Sequence, residues 1–173
     1  MSTLQTARHA LEGILKTVII GCAATLLIGH FVLQGTHVYG QSMEPNLHTD
    51  QQVLIEKMSY KFHLPERGDI VVVNVENFGS PLIKRVIGLP GETIRIVNNQ
   101  IYINNKLLEE PYLQQVMQSD YGPRTIPPSH VFVLGDNREI SHDSRALGPI
   151  HVDNILGKAW LSYWPPEAIR LLA

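Results

Sequence analysis

Thr93-Ile94-Arg95-Ile96-Val97-Asn98-Asn99-Gln100-Ile101-Tyr102-Ile103 is the stretch that decides the fold. Its two arms, Ile94-Arg95-Ile96 and Ile101-Tyr102-Ile103, alternate side chains with the period of two that places every second residue on one face of a β-strand. Asparagine tolerates the positive φ of tight turns, so Asn98-Asn99-Gln100 predicts the turn of a β-hairpin. Asn104-Asn105-Lys106 predicts a second tight turn directly afterwards. The stretch therefore predicts antiparallel β-structure.

Similar short strands recur along the chain between turn residues. They are rich in β-branched and aromatic side chains, which fit a pleated surface. Besides the two hairpin arms, the predicted strands are Val53–Ile55, Ile70–Val73, Leu82–Ile87, Val131–Leu134 and Ala159–Trp164. From Glu109 to Ser129 the apolar periodicity disappears and four prolines occur, so this segment predicts an irregular excursion.

An apolar run over residues 18–33 precedes these strands. Extended back to Leu11, past a lysine whose amine can reach the interface, the run has the length of a transmembrane helix. A cleaved secretory signal is the alternative, but residues 34–39 contain no Ala-x-Ala cleavage pattern. Arg8 and Lys16 precede the run, and the next basic residue is Lys57, so the N-terminus is expected in the cytoplasm.

The predicted organisation has three parts. Residues 1–10 form a short cytoplasmic N-terminus, residues 11–34 a transmembrane anchor helix, and residues 35–173 an extracytoplasmic β-rich domain. The expected fold class is mainly β, an antiparallel β-sheet domain with one N-terminal transmembrane α-helix.

Composition excludes two features of this domain. The formal net charge of -2, the pI near 6.4 and the absence of a Lys/Arg cluster argue against a nucleic-acid partner. The only cysteine, Cys22, lies in the predicted anchor, so the domain cannot form an internal disulfide.

Ser42 and Lys84 are the candidate catalytic pair. Ser42 follows the apolar run by nine residues, and Lys84 lies in the otherwise apolar strand Leu82–Ile87. Burial in such surroundings lowers the pKa of a lysine, which lets a neutral amine act as a general base for a serine. Because successive strand residues face opposite ways, Arg85 is expected to be solvated. Each residue alone is ordinary, since most lysines and loop serines are solvent-exposed.

A polar loop over residues 135–145 follows the predicted strand Val131–Leu134. Its side chains can orient the base and brace the loop by charge pairing, Asp143 with Arg145 or Asp136 with Arg138. Solvated turn residues are the alternative for all four.

With these residues, the chain resembles the type I signal peptidases, membrane-bound serine proteases with a Ser/Lys dyad. Four blocks carry the resemblance in the family's order, and together they are far more specific than one motif. They are Gly40-Gln41-Ser42-Met43-Glu44-Pro45, Arg67-Gly68-Asp69-Ile70-Val71-Val72, Lys84-Arg85-Val86-Ile87-Gly88-Leu89-Pro90-Gly91-Glu92, and Gly135-Asp136-Asn137-Arg138 with Ser141-x-Asp143-Ser144-Arg145.

The resemblance implies the roles of the site residues. Ser42 would be the nucleophile, Lys84 the general base, and Ser141 the residue that orients the lysine amine. The Ser42 N–H would supply one oxyanion donor, and Gly40 stands where some members carry a second, serine donor. The pair Asp143 and Arg145, with Asp136 and Arg138, would shape the site.

The resemblance also implies the activity. The protein would remove N-terminal signal peptides from exported preproteins, cleaving after small residues of the Ala-x-Ala type through an acyl-enzyme, with no cofactor and no metal. Its expected partners are signal-peptide-bearing preproteins and the lipid bilayer, with the export machinery as a further one. Its expected location is a single-pass protein of the plasma membrane or a thylakoid membrane.

Four alternatives stay open at this point. A Ser/Lys autoprotease like the self-cleaving repressors lacks support because the chain has no DNA-binding segment, and an inactive membrane-anchored β-domain would not need a buried lysine. A Ser-His-Asp triad would use His142 and Asp143, whose adjacent side chains diverge. A metal site would use His142, His151 or Asp136.

Overall fold

The computed structural model describes residues 3–76, 78–113 and 120–172, and it divides the chain into two units, Met1–Gln34 and Gly35–Ala173. In the first unit, helix α1 (Thr3–Val32) is followed by Leu33 and Gln34. Among the side chains that the structure describes in α1, eight large apolar ones are more than half exposed: Leu11, Ile14, Leu15, Val18, Ile19, Ile20, Leu26 and Leu27. None of the helices within the described residues meets the length and apolarity needed to cross a membrane. The prediction of a transmembrane anchor over residues 11–34 is therefore not confirmed.

The second unit is built on two antiparallel sheets. The strands are β1 (Leu33–His37), β2 (Gln52–Glu56), β3 (Ile70–Val73), β4 (Leu82–Gly88), β5 (Thr93–Val97), β6 (Gln100–Ile103), β7 (Lys106–Leu107), β8 (Tyr121–Thr125), β9 (His130–Leu134), β10 (Ile150–His151), β11 (Ile155–Trp164) and β12 (Arg170–Leu171). The larger sheet has the order β1-β2-β11-β3-β4-β9-β10, with β12 paired to β11, and the smaller has the order β7-β6-β5-β8. A short helix, α2 (Ser144–Leu147), connects β9 to β10.

The smaller sheet confirms the predicted hairpin. β5 and β6 pair from Ile94 opposite Ile103 to Val97 opposite Gln100, which leaves Asn98 and Asn99 as a two-residue turn. Both asparagines have positive φ, 48° and 65°, as two-residue hairpin turns of this hand require. The second predicted turn uses Asn104 and Asn105 in the same way and leads into β7.

β4 is a central strand of the larger sheet and is covered on both faces. It pairs with β3 on one side and β9 on the other, and its burial pattern leaves only Leu82 partly exposed. Separate apolar clusters account for this coverage. One includes Ile70, Val72 and Ile83, a second includes Val71, Val73 and Val86, and a third packs Ile87 against the smaller sheet. A strand in this position buries whatever side chains it carries, polar ones included.

The seven predicted strands are confirmed, with differences of up to four residues at their ends, and the described part of the chain contains five others that were missed. β1, β7, β10 and β12 have five residues or fewer and mostly exposed or half-buried side chains, so they lack an apolar signal. The prediction that residues 109–129 form an irregular excursion is wrong for β8, which pairs with β5. Its sequence, YGPRT, contains Gly and Pro and is almost wholly exposed, because β8 is a sheet edge. Residues 114–119 of that segment lie outside the described residues.

Candidate active site

The structure brings Ser42 and Lys84 together. Lys84 Nζ donates a hydrogen bond of 2.8 Å to Ser42 Oγ, although the residues are 42 positions apart. Ser42 begins a tight turn in which the Leu47 N–H donates to the Met43 carbonyl, and the Met43 and Leu47 side chains are buried in the core. Lys84 extends from β4, which is fixed on both sides by other strands. Both members of the pair are therefore held by buried structure.

The environment of Lys84 favours the neutral amine. Lys84 is 2% exposed, and this burial lowers its pKa from 10.5 to about 8. The carboxylates of Asp143 and Asp136 oppose the shift, whereas the Arg145 guanidinium adds to it. At pH 7 such a lysine is neutral in roughly a tenth of the molecules, and a free lysine in fewer than about one in a thousand.

The predicted pair of Asp143 and Arg145 is present at the start of α2. Arg145 Nε donates to Asp143 Oδ1 and Arg145 Nη2 donates to Asp143 Oδ2, both at 2.9 Å. Asp143 also caps α2 by accepting from the Arg145 N–H, and it accepts from the Gly135 N–H at 3.1 Å. One carboxylate thus joins the two ends of the loop over residues 135–145.

The predicted pairing of Asp136 with Arg138 is wrong. Asp136 accepts two hydrogen bonds from Arg85, at 2.8 and 2.7 Å, and Arg138 donates two to Glu110, at 3.0 and 2.6 Å. Arg138 Nε also donates to the Gly135 carbonyl. Forked guanidinium–carboxylate pairs of this kind are the strongest protein ion pairs.

The expectation that Arg85 is solvated is also wrong, since Arg85 is 3% exposed. The side chains of β4 do alternate, but both faces of this strand are covered, so the face opposite Lys84 is buried as well. The cost of burying the guanidinium is offset by Asp136, by the Gly68 carbonyl and by the Tyr112 ring, whose centroid lies 4.1 Å from Arg85 Cζ.

Ser141 reaches the site but does not form the predicted contact. Its hydroxyl oxygen is buried and has no hydrogen-bond partner within the described part of the chain, so the expected bond to the Lys84 amine is absent. Gly135 explains how close these segments approach. A Cβ at this position would overlap both the Ser141 side chain and the Ser42 backbone oxygen. The site requires glycine here for space, not for backbone freedom.

The backbone N–H of Ser42 is a free donor. Across residues 3–76, 78–113 and 120–172, the Ser42 N–H donates no hydrogen bond. Gly40 is exposed with φ of 79°, and a Cβ placed there would contact nothing within 4 Å. Gly40 therefore brings no side-chain donor, and the space beside it is open.

Neither of the other predicted chemistries is assembled. His142 packs on Phe78, with ring centroids 5.0 Å apart, and the group bonded to Ser42 Oγ is a lysine. No cluster of three or more His, Cys, Asp or Glu residues suited to a metal ion occurs in the described segments.

Sequence reasoning missed four residues around the site. Asn46 and Asn137 hydrogen-bond within it, and Glu110 and Tyr112 cover the buried arginines. Asn137 lies in a quoted motif and was available as a candidate. The other three carry no local signal, because each acts on a residue at least 25 positions away.

Comparisons with known proteins give consistent matches to one family. A family model described as signal peptidase, peptidase S26, matches residues 11–164. The chain is 37% identical over 163 residues to the probable signal peptidase I-2 of Synechocystis, covering 91% of this chain and 75% of that protein. It is 36% identical over 166 residues to signal peptidase I T of Bacillus subtilis, covering 90% and 86%. A crystal structure of a signal peptidase I from Enterococcus faecalis matches with a TM-score of 0.50 and 32% identity, covering 56% of this chain and 97% of that one.

Proposed function

We propose, on the premise that this chain belongs to the signal peptidase family, peptidase S26, that Ser42 and Lys84 are its catalytic dyad. Membership of this family makes the protein a serine peptidase that removes signal peptides from preproteins. The observation that carries the dyad is the 2.8 Å hydrogen bond from Lys84 Nζ to Ser42 Oγ, made by an amine that is 2% exposed.

The proposed mechanism is acyl transfer. Neutral Lys84 takes the proton of the Ser42 hydroxyl as its oxygen attacks the scissile carbonyl, and the protonated amine then donates to the leaving amine. The same lysine activates the water that hydrolyses the acyl-enzyme. While Lys84 is protonated, Asp136 and Asp143 stabilise its charge, which is the electrostatic effect that also raises its pKa.

The Ser42 N–H is the proposed first donor to the oxyanion. Gly40 brings no side-chain donor, so a second one would come from backbone or solvent in the open space beside it. Ser141 is proposed to orient the Lys84 amine once its unpaired hydroxyl turns toward it. Cleavage after small residues of the Ala-x-Ala type is proposed with this mechanism, on a substrate bound as an added strand.

Attachment to a lipid bilayer through α1 is the proposed location. Its support is the row of apolar side chains on α1 that are exposed to solvent, at a cost to any soluble protein. Carbonate extraction of membranes should leave the full chain in the lipid fraction, and release into the supernatant would contradict attachment. A cytoplasmic N-terminus, the plasma or thylakoid membrane and a contact with the export machinery stay predictions.

The dyad is tested by substitution in the full chain, with a preprotein as substrate in detergent. Ser42→Ala and Lys84→Ala should each abolish cleavage without changing the circular dichroism spectrum. His142→Ala is the matched control, since His142 follows Ser141 in the same loop but packs on Phe78, and this variant should keep its activity. Cleavage by either dyad variant would contradict the proposal, and loss in His142→Ala would favour a histidine base.

A further inference from the structure

Asn46 makes two long-range hydrogen bonds with one amide group. Its Nδ2 donates to Asp136 Oδ2 at 2.9 Å and to the Tyr112 carbonyl at 3.1 Å. The partners lie 90 and 66 positions away in sequence. Both amide hydrogens are thereby used, and each reaches a different segment around the site.

These bonds hold the far end of the turn that carries Ser42. At the near end, the Ser42 carbonyl accepts from the Asn137 N–H at 3.0 Å. Asp136 and Asn137 are consecutive, so two adjacent loop residues bind the first and last residues of the segment from Ser42 to Asn46. The turn is hydrogen-bonded at both ends to the same loop.

The same carboxylate also holds the strand of Lys84. Asp136 binds Arg85 through two hydrogen bonds, and Arg85 is the next residue after Lys84 on β4. A continuous chain of hydrogen bonds therefore runs from Asn46 through Asp136 to Arg85, joining the segments of the two dyad members. Both pairs in this chain involve an ionised group, which makes them stronger than neutral hydrogen bonds.

The Asn46 side chain itself is not fixed by tight packing. Two cavities, of about 350 and 240 Å³, border the segment, and Asn46 lines both of them. Open space beside a turn removes the contacts that would otherwise fix its position. At the Asn46 side chain the hydrogen bonds therefore add a polar restraint to the core packing of Met43 and Leu47.

We propose that Asn46 is a positioning residue, which acts through Asp136 to keep Ser42 Oγ within hydrogen-bond distance of Lys84 Nζ. The inference rests on the proposed Ser42/Lys84 dyad. Misplacement of a nucleophile by about 1 Å costs roughly 100-fold in rate. Asn46→Ala should therefore lower kcat about 10- to 100-fold and change KM less than about threefold, because ground-state binding does not use the hydrogen bonds of Asn46.

The pH profile distinguishes positioning from a merely structural role. Lys84 is influenced by Asp136, Asp143 and Arg145, and the Asp136 charge favours its protonated form. Loss of the Asn46 donor leaves that carboxylate less neutralised, so the midpoint of kcat/KM against pH should move upward by roughly half a unit. A variant that was only less stable would keep the wild-type midpoint.

The experiment is a double-mutant cycle in the full chain, with preprotein cleavage and thermal unfolding measured for each variant. In the isosteric Asp136→Asn background, adding Asn46→Ala should lower kcat by less than about a further threefold. His48→Ala is the matched control, because His48 is exposed two residues further along, and it should change kcat less than about twofold. If Asn46→Ala does not fold, Asn46→Asp keeps the volume and should move the midpoint further upward.

The results distinguish failure of the Asn46 positioning role from failure of the proposed Ser42/Lys84 dyad. If Ser42→Ala is inactive while Asn46→Ala keeps the wild-type kcat and midpoint, the positioning role is overturned and the dyad stands. The positioning role is also overturned if Asn46→Ala lowers kcat by the same factor in the Asp136→Asn background as in the wild type. It is likewise overturned if Asn46→Asp keeps the wild-type midpoint of kcat/KM against pH. Cleavage by Ser42→Ala would instead overturn the proposed function itself.

Discussion

Replacing the buried lysine by an apolar residue of similar length, Lys84→Met, should stabilise the fold while abolishing activity. Burial lowers the Lys84 pKa from 10.5 to about 8, and 2.5 units correspond to about 3 kcal/mol at about 1.4 kcal/mol per unit. The variant loses the hydrogen bond to Ser42, which is worth about 1 kcal/mol. At pH 6 we therefore expect Lys84→Met to raise the free energy of unfolding by about 2 kcal/mol.

The sign of the pH dependence follows from proton binding. Between pH 8 and 10.5 the unfolded chain holds the lysine proton and the folded chain has released it, so wild-type stability rises with pH. Below pH 8 both states are protonated and the folded state bears the full cost of the buried charge. The advantage of Lys84→Met should thus be largest at pH 6 and almost gone at pH 10.

Urea unfolding at pH 6 and pH 10 measures this difference. Trp160 and Trp164 are the only tryptophans and both lie on β11, so their fluorescence reports on the β-domain. Lys106→Met on β7 is the matched control, since Lys106 is exposed and should give no pH-dependent gain. A Lys84→Met variant that is less stable than wild type at pH 6, with an unchanged pH slope, would refute the reasoning.

Two further predictions concern activity. For the wild-type chain, kcat/KM should rise about tenfold per pH unit below pH 8 and level off above it, because only the neutral Lys84 amine can act as the proposed base. A plateau of kcat/KM that begins below pH 6 would contradict this. Gly135→Ala should abolish preprotein cleavage because the added Cβ overlaps Ser42 and Ser141. Gly79→Ala is the control and should cleave normally, since its Cβ has no atom within 4 Å. Equal activity of the two variants would show that the loop can move aside.

Local sequence predicts the fold wherever one side-chain pattern determines the structure. Val71 and its neighbours in β3 form a strand because their branched side chains suit a buried pleat, and Asn98 and Asn99 form a turn because they accept positive φ. β8 could not be predicted in this way. Its Gly122 and Pro123 oppose strand formation, and pairing with β5 overrides that local preference.

The candidate site divides along the same line. Ser42 and Lys84 are identifiable from the motifs that carry them. The ion pair of Asp143 with Arg145 is predictable because the two residues are two positions apart on one capped turn. The predicted pairing of Asp136 with Arg138 is wrong because each has a partner far away in sequence, Arg85 for Asp136 and Glu110 for Arg138. Both faces of β4 are buried, and on the face opposite Lys84 the Arg85 guanidinium binds Asp136. Sequence spacing does not reveal that this second face is covered.

The sequence by itself determined seven strands, the asparagine turns, the family and the candidate pair Ser42 and Lys84, because each is carried by motifs of residues close together in the chain. Only the tertiary structure decided which charges meet, how deeply Lys84 is buried and that Asn46 joins the Ser42 turn to Asp136. The physical reason is that the pKa of a buried amine and the choice of an ion-pair partner depend on three-dimensional surroundings. Those surroundings are assembled here from segments that lie 40 to 90 residues apart.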